Sequence, residues 1–333
     1  MIVERDLLLR LRDGPVSGDM LASASGQTRA AVWKRIEALR AAGVEIAAKP
    51  GRGYALVQPL DLLDAACIRS RLAPDLQAAL HALEVAWSID STSAELLRRD
   101  VPDAGVDVLL AERQTGGRGR RGRDWVSPLA ANLYLSVARL YTGGLTRLGG
   151  LSLVAGVAAV EALRARGFDR VRLKWPNDLV VIEADGSLRK LGGLLVEGGG
   201  EHAGPVRAVV GLGLNVRMPA TAAAGIDQPW IDLAALSQGM PPARNELAAT
   251  LLAHLLPALA AFDADGLAPF LHRYAACDAL REREVAVQLG EQVHAGRVLG
   301  LGDDGALRVD TADGERRFHA GEVSLRAERG VTP

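Results

Sequence analysis

Four arginines alternate with four glycines through Gly116-Gly117-Arg118-Gly119-Arg120-Arg121-Gly122-Arg123, after Gln114 and Thr115 and before Asp124 and Trp125. Such a run is no core element, because a guanidinium stays charged at any physiological pH. Glycine lets backbone N–H groups approach an anion, and the arginine fork matches phosphate and carboxylate oxygens. The chemistry on offer is a grip on a phosphorylated ligand; a solvated basic loop or a nucleic-acid contact is the plainer alternative. Gly117, Gly119 and Gly122 also satisfy GxGxxG spacing. A dinucleotide-binding turn, however, needs a helix opening at the glycines and an acidic residue about 20 positions later. Here Pro128 and a strand-like run from Asn132 follow, and no Asp or Glu occurs between Asp124 and Glu161. The phosphate-loop pattern GxxxxGK[ST] is absent too.

Three further segments could line the same ligand. Lys174-Trp175-Pro176-Asn177-Asp178 ends an alternating run, where Pro176 cannot continue a ladder and turns the chain outward. Lys190-Leu191-Gly192-Gly193-Leu194-Leu195-Val196-Glu197 sets a lysine before an apolar strand whose glycines admit a ligand close to the backbone, and Gly211-Leu212-Gly213-Leu214-Asn215 repeats the device. Taken singly, each has a structural reading: a turn, an exposed edge lysine, a glycine-weakened strand.

The elements that must position these groups fall into three sets. Residues 1 to about 60 place Leu7, Leu8, Leu11, Met20, Leu21, Val32, Ile36 and Leu39 at helical spacing, with Ser17 and Thr28 where N-caps belong. Val44, Ile46, Tyr54 and Leu56 then alternate around Pro50-Gly51-Arg52-Gly53, so the set reads as a winged helix-turn-helix over 1–62. Residues 66–275 mix strands (106–111, 132–138, 171–175, 179–182, 191–197, 206–216) with helices (93–99, 148–166, 245–262), an α+β mixed-sheet domain. The Ala-rich stretch from Pro219 to Gln228 reads as an irregular loop. Residues 276–330 give short runs at 285–289, 293–301, 307–310 and 317–325, a small β-barrel. The fold class is α+β multidomain.

In this order, Asp90-Ser91-Thr92, the loop with Trp125, and the motifs at 174–178, 190–197 and 211–215 resemble biotin protein ligases across essentially the whole chain. With a winged helix in front and an SH3-like barrel behind, the pattern is similar to the bifunctional ligase and biotin operon repressor. That resemblance implies formation of biotinyl-5′-AMP from biotin and ATP with Mg2+, then transfer to a lysine of biotin carboxyl carrier protein. It also implies a homodimer promoted by the adenylate on a biotin operator DNA. For biotin it implies Ser91, Thr92, Gln114, Gly117, Arg118, Lys190, Gly211 and Gly213. For ATP and the adenylate it implies Arg118, Arg120, Arg121, Trp125, Asn177, Lys190, Asn215, Glu322 and Arg326. Lys190, Arg118 and Asp178 are the catalytic candidates, Asp178 to orient the acceptor ammonium or Mg2+, since an acceptor lysine of pKa ~10.4 must shed a proton. The sequence departs from the family at Ser93, Asp124 and Trp33.

A net charge of −1 excludes a globally polybasic nucleic-acid binder. Residues 1–60 nevertheless carry nine Lys/Arg against six Asp/Glu, and Arg29, Ala30, Trp33 and Lys34 could face a major groove with Arg52 at the wing. A helical protein-interaction module is the alternative there. Cys67 and Cys277 belong to no cluster and suit a reducing interior. The charged N-terminus and the lack of an uncharged apolar run of about 20 residues point to a cytoplasmic protein with no membrane partner. Two readings compete with the ligase: a biotin-sensing repressor without turnover, disfavoured by retention of Arg118, Arg121 and Lys190, and a lipoate-type ligase, disfavoured by the Ser-Thr and GRGRRG pairing.

Overall fold

A computed structural model describes residues 2–325 except 50, 101, 103, 143, 145–147 and 201–204. Helices α1 (Ile2–Arg12), α2 (Gly18–Ser25) and α3 (Arg29–Ala41) open the chain. Ser17 Oγ accepts the Met20 amide and Thr28 Oγ1 the Ala31 amide; each cap contributes about 1 kcal/mol. Leu7, Leu8, Leu11, Leu21, Val32, Ile36 and Leu39 close a core between the helices. Strands β1 (Ile46–Lys49) and β2 (Gly53–Leu56) form the wing as an antiparallel pair. A Cβ at Gly53 would collide with the Val16 carbonyl, which accepts the Tyr54 amide at 2.9 Å, so close approach requires glycine here.

The central elements are α4 (Ala65–Ser70), α5 (Pro74–Ala79), β3 (Leu80–Ala86), α6 (Thr92–Arg98), β4 (Val106–Ala111), β5 (Leu133–Tyr141), α7 (Leu151–Arg164), β6 (Val171–Lys174), β7 (Asp178–Ile182), β8 (Leu188–Gly200) and β9 (Val206–Leu214), followed by α8 (Ala220–Ala223), α9 (Leu233–Leu236), α10 (Arg244–Asp265) and α11 (Ala268–Ala275). The sheet runs β3-β4-β5-β9-β8-β7-β6, with β3 and β4 parallel and every other pair antiparallel. Strand alternation assigns its two faces. Leu133, Leu135 and Val137 of β5 and Ala208, Val210, Leu212 and Leu214 of β9 pack in the large core with α7 and α10. Leu109, Ala138 and Val209 turn to the opposite face, under Leu96 of α6. On that face β5 offers Ser136 and β9 offers Gly211 and Gly213, so the sheet has a dry side and a side left open for a ligand. Helix α10 is long and apolar enough to cross a bilayer, and here its Leu247, Leu251, Leu255, Leu259 and Phe262 lie in the large core.

Strands β10 (Glu284–Leu289), β11 (Gln292–Leu301), β12 (Leu307–Thr311), β13 (Gly314–Phe318) and β14 (Glu322–Leu325) form an antiparallel sheet ordered β13-β12-β11-β10-β14. The single run expected over 317–325 is thus two strands on opposite edges, separated at His319 to Gly321, where Gly321 has φ 150°. The expected loop at Pro219 to Gln228 includes the one-turn helix α8.

The sets interlock. Leu129, from the segment after the basic loop, is 3 % exposed and completes the core of α1–α3; its amide donates to the Ala42 carbonyl at 2.8 Å. Arg244 and Glu112 form an ion pair of 2.7 Å with side chains 2 % and 3 % exposed. Arg244 also donates to the carbonyls of Asp61 and Asn132, and Glu112 accepts the Leu63 amide, so the chain leaving the wing is bolted to the sheet. Removing one member of such a buried pair costs about 3–5 kcal/mol. At the other end, Trp175 Nε1 donates to the Gly305 carbonyl at 3.2 Å.

Candidate active site

The basic loop is folded. The Gly119 amide donates to the Arg123 carbonyl at 2.7 Å and the Trp125 amide to the Gly117 carbonyl at 2.9 Å, making a narrow excursion with Arg121 at its tip (φ 57°). A Cβ on Gly117 would lie 2.5 Å from the Trp125 carbonyl oxygen and 2.7 Å from Ser127 Oγ, so glycine is required where the two arms cross. At its base, the amides of Thr115 and Gly116 donate to the Ile89 and Asp90 carbonyls, both at 2.8 Å. Arg98 fixes Asp90 by two bonds of 2.8 and 2.9 Å; that guanidinium holds the carboxyl at about 2. Between the loop and the open face of the sheet lies a cavity of about 740 Å³, within the usual range for small-molecule sites.

One end of the cavity is a chain of hydroxyls and amides. Thr92 N and Oγ1 both donate to Gln114 Oε1, at 2.9 and 3.1 Å. A hydroxyl has one proton, so the 2.7 Å contact between Thr92 and Ser136 has Ser136 as donor, and the 3.0 Å contact between Ser136 and Ser93 has Ser93 as donor. Gln114 Nε2 donates onward to Ser127 Oγ at 3.2 Å, and Ser127 to the Trp125 carbonyl at 2.9 Å. The wall from α6 to the loop thus has one donor direction. Ser91 Oγ caps α6 by accepting the Ala94 amide at 3.3 Å. A Cβ on Gly211 would collide with Ser93 Oγ, and one on Gly213 would lie 2.5 Å from the Trp125 ring. Both glycines thus clear room for a neighbour that closes the cavity.

The other end is cationic. Lys190 Nζ meets Asp178 Oδ1 at 2.9 Å and stands 5.5 Å above the centre of the Trp125 ring. Arg118 meets Glu197 at 2.8 Å, and Arg121 meets Glu322 at 3.5 Å, a carboxylate Arg123 shares. Arg120 donates to Asn177 Oδ1 at 3.3 Å, and Asn177 donates to the Leu194 carbonyl at 2.6 Å. Burial, and then the charge of Arg121, push the Arg120 guanidinium below its ordinary value. Trp125 Nε1 is buried without a hydrogen-bond partner among the described residues. Asn215, 3 % exposed, donates to the Ile231 carbonyl at 3.1 Å; with Trp125 and Trp230 it borders a side pocket of about 70 Å³ rather than the main cavity.

Ser91, Thr92, Gln114, Arg118, Arg120, Arg121, Trp125, Asn177, Asp178, Lys190, Gly211, Gly213 and Glu322 therefore converge on one cavity. Gly117 supports it from the loop, Asn215 stands next door, and Arg326 lies outside the described residues. Asp124, the loop's acidic departure, borders both cavities. Sequence reasoning passed over Ser136, Ser127 and Lys174. The first two carry only short hydroxyls in apolar or loop surroundings. Lys174 stood inside a motif already recognised, yet received no task. The five residues expected to face DNA, Arg29, Ala30, Trp33, Lys34 and Arg52, are all exposed, Trp33 at 54 %.

Comparison with known proteins gives the chain's family. Residues 87–215 match the biotin/lipoate A/B protein ligase family, residues 282–326 the biotin protein ligase C-terminal domain and residues 4–55 an HTH domain. The bifunctional ligase/repressor BirA of Salmonella typhimurium is 39 % identical over 96 % of this chain and 97 % of its own. BirA of Escherichia coli is 39 % identical over 93 % of each. A biotin protein ligase from Aquifex aeolicus, solved in complex with biotin and ATP, superposes with TM-score 0.60 at 28 % identity, over 74 % of this chain and 99 % of its own. A ligase cavity joined to an exposed helix-turn-helix, in a chain related end to end to these proteins, makes this a member of the biotin protein ligase family, of the bifunctional ligase/repressor type.

Proposed function

We propose that the cavity joins biotin to ATP as biotinyl-5′-AMP and passes the biotinyl group to a lysine of a biotin carboxyl carrier protein. The observation that carries this is the polarity of the cavity: a hydrogen-bonding end suited to a neutral ureido ring, and a cationic end suited to carboxylate and phosphates. Ser91, Thr92 and Gln114 take the ring side, with Gly117, Gly211 and Gly213 giving clearance. Arg118 and Lys190 bring the biotin carboxylate, already ionised at neutral pH, against the α-phosphate. Holding the two in line and neutralising phosphoryl charge is most of what the first step demands. Trp125, its Nε1 free to donate, and Asn215 take the adenine side; Arg120, Arg121, Asn177, Glu322 and Arg326 take the rest of the nucleotide. Asp178, already 2.9 Å from Lys190, orients an ammonium in the transfer step. Mg2+ enters with ATP: no group of three or more His, Cys, Asp or Glu side chains among the described residues could hold it alone, and Mg2+ is commonly held by phosphates with one or two carboxylates.

Exchange of radiolabelled pyrophosphate into ATP, run with biotin and with lipoate, tests this reading. Biotin-dependent exchange is expected, and exchange with lipoate alone would overturn it. Because the folded loop roofs the cavity, Arg120→Gly is expected to let biotinyl-5′-AMP escape and raise labelling of bystander lysines, read by mass spectrometry; unchanged labelling would remove the trapping role.

We further propose division at 1–62, 66–275 and 276–330, and operator binding by a homodimer that the adenylate promotes. The exposed face of α3 and the wing support the DNA contact; two such faces are what a palindromic site would need.

A further inference from the structure

Six cations border the cavity, and four of them meet a carboxylate of the chain: Arg118, Arg121, Arg123 and Lys190. Arg120 has the neutral Asn177. The Lys174 side chain has no hydrogen bond or ion pair among the described residues. It sits directly opposite Asp178 in the β6–β7 hairpin, but the Asp178 carboxylate is taken by Lys190. Glu322 is likewise taken by Arg121 and Arg123. Burial pushes the Lys174 ammonium below its ordinary value, Asp178 and Glu322 pull it up, and Lys190 and Arg123 push it down. A cation partly withdrawn from water and without a direct ion pair, its nearby carboxylates engaged by other cations, is poised for a ligand that supplies the opposite charge.

Strand order says which part of the ligand that is. Across the open face come Ser136 on β5, Gly213 beneath Trp125 on β9, Lys190 on β8, Asp178 on β7 and Lys174 on β6. Adjacent strands are about 4.8 Å apart, so Lys174 stands roughly two spacings, or about 10 Å, beyond Lys190 and away from the hydroxyl end. If the ring lies at the hydroxyls and the α-phosphate at Lys190, the groups reaching β6 are the β- and γ-phosphates. We propose that Lys174 is the substrate-contacting cation that receives the pyrophosphate leaving group. In that step a biotin carboxylate oxygen bonds to the α-phosphorus, the bond from α-phosphorus to the bridging oxygen breaks, and the electron pair leaves on pyrophosphate. No proton is required; Lys174 takes up the charge that develops on the departing oxygens.

The inference rests on the ligase reading, and its test separates the two. Wild type, Lys174→Met and Lys174→Arg are compared in three measurements: biotin-dependent ATP–pyrophosphate exchange, calorimetric binding of inorganic pyrophosphate, and single-turnover transfer from supplied biotinyl-5′-AMP to biotin carboxyl carrier protein. Lys174→Met is expected to slow exchange and weaken pyrophosphate binding at least tenfold, to leave transfer within about twofold, and to be largely rescued by Lys174→Arg. Unchanged exchange and pyrophosphate affinity in Lys174→Met would overturn the assignment, as would an equal loss in the transfer step, which marks a structural or proton-handling role. Wild-type protein lacking biotin-dependent exchange would instead sink the ligase reading, with the pyrophosphate titration still deciding for Lys174.

Discussion

In the cavity, Lys190, Arg118, Arg121 and Arg123 each meet a carboxylate from another part of the chain, whereas Lys34 and Arg52 have no ion pair among the described residues and Arg29 meets only Asp19 of the neighbouring helix at 3.2 Å. Both surfaces are basic, but the proposed function gives them different ligands. A small reactive molecule must be held in one orientation, so most of its cations are set in place beforehand by carboxylates that balance their charge until the ligand arrives. A nucleic-acid backbone exchanges bound ions for side chains, so its cations are best left in water. The arrangement of counter-charges, more than the number of arginines, separates the cavity from the exposed face of α3.

Three substitutions press on that contrast. Lys190→Ala is expected to cut kcat/KM for ATP–pyrophosphate exchange by about 100- to 1000-fold, the usual loss when a charge-stabilising donor is removed, while leaving non-specific DNA binding unchanged in a filter assay. A loss below tenfold would break the claim that this cation is preset for the transition state. Lys34→Ala should weaken DNA binding several-fold and lower the slope of log affinity against log salt by about 1, with exchange unaffected; an unchanged slope would mean that the exposed face of α3 does not meet phosphate. Glu322→Gln frees Arg121 and Arg123. Its partners are partly exposed, so the expected change in thermal stability is under about 1 kcal/mol, with a shift in the KM for ATP of no more than about fivefold. A larger shift would show that the balancing carboxylate sets the loop's position.

The legible parts of this molecule are those whose cause is local. Strand β4 falls on its expected residues, Val106–Ala111, because a continuous apolar run buried on both faces announces itself. Ser17 and Thr28 cap as expected because capping spans three residues. Helices α4 and α5, six residues each, are too short for a periodic signal, and β3 after them carries a mixed burial pattern. The segment 317–325 reads as one run because the pairing that divides it, β13 with β12 and β14 with β10, is long-range. In the site, the glycine and arginine loop stands out from composition, but the partners of its charges lie 79 and 201 residues away. Lys174 illustrates the same limit: only the arrangement of every other charge makes its lack of a partner visible.

Leu129 gives the molecule a hinge pin. One apolar side chain from the segment between the basic loop and β5 helps fill the core of the helix-turn-helix, two residues after Ser127, the last hydroxyl in the relay from α6 to Trp125. Removing the winged helix would uncover Leu129, in the segment that follows the roof of the cavity. In this architecture the boundary between the helix-turn-helix and the sheet domain runs through a shared interior.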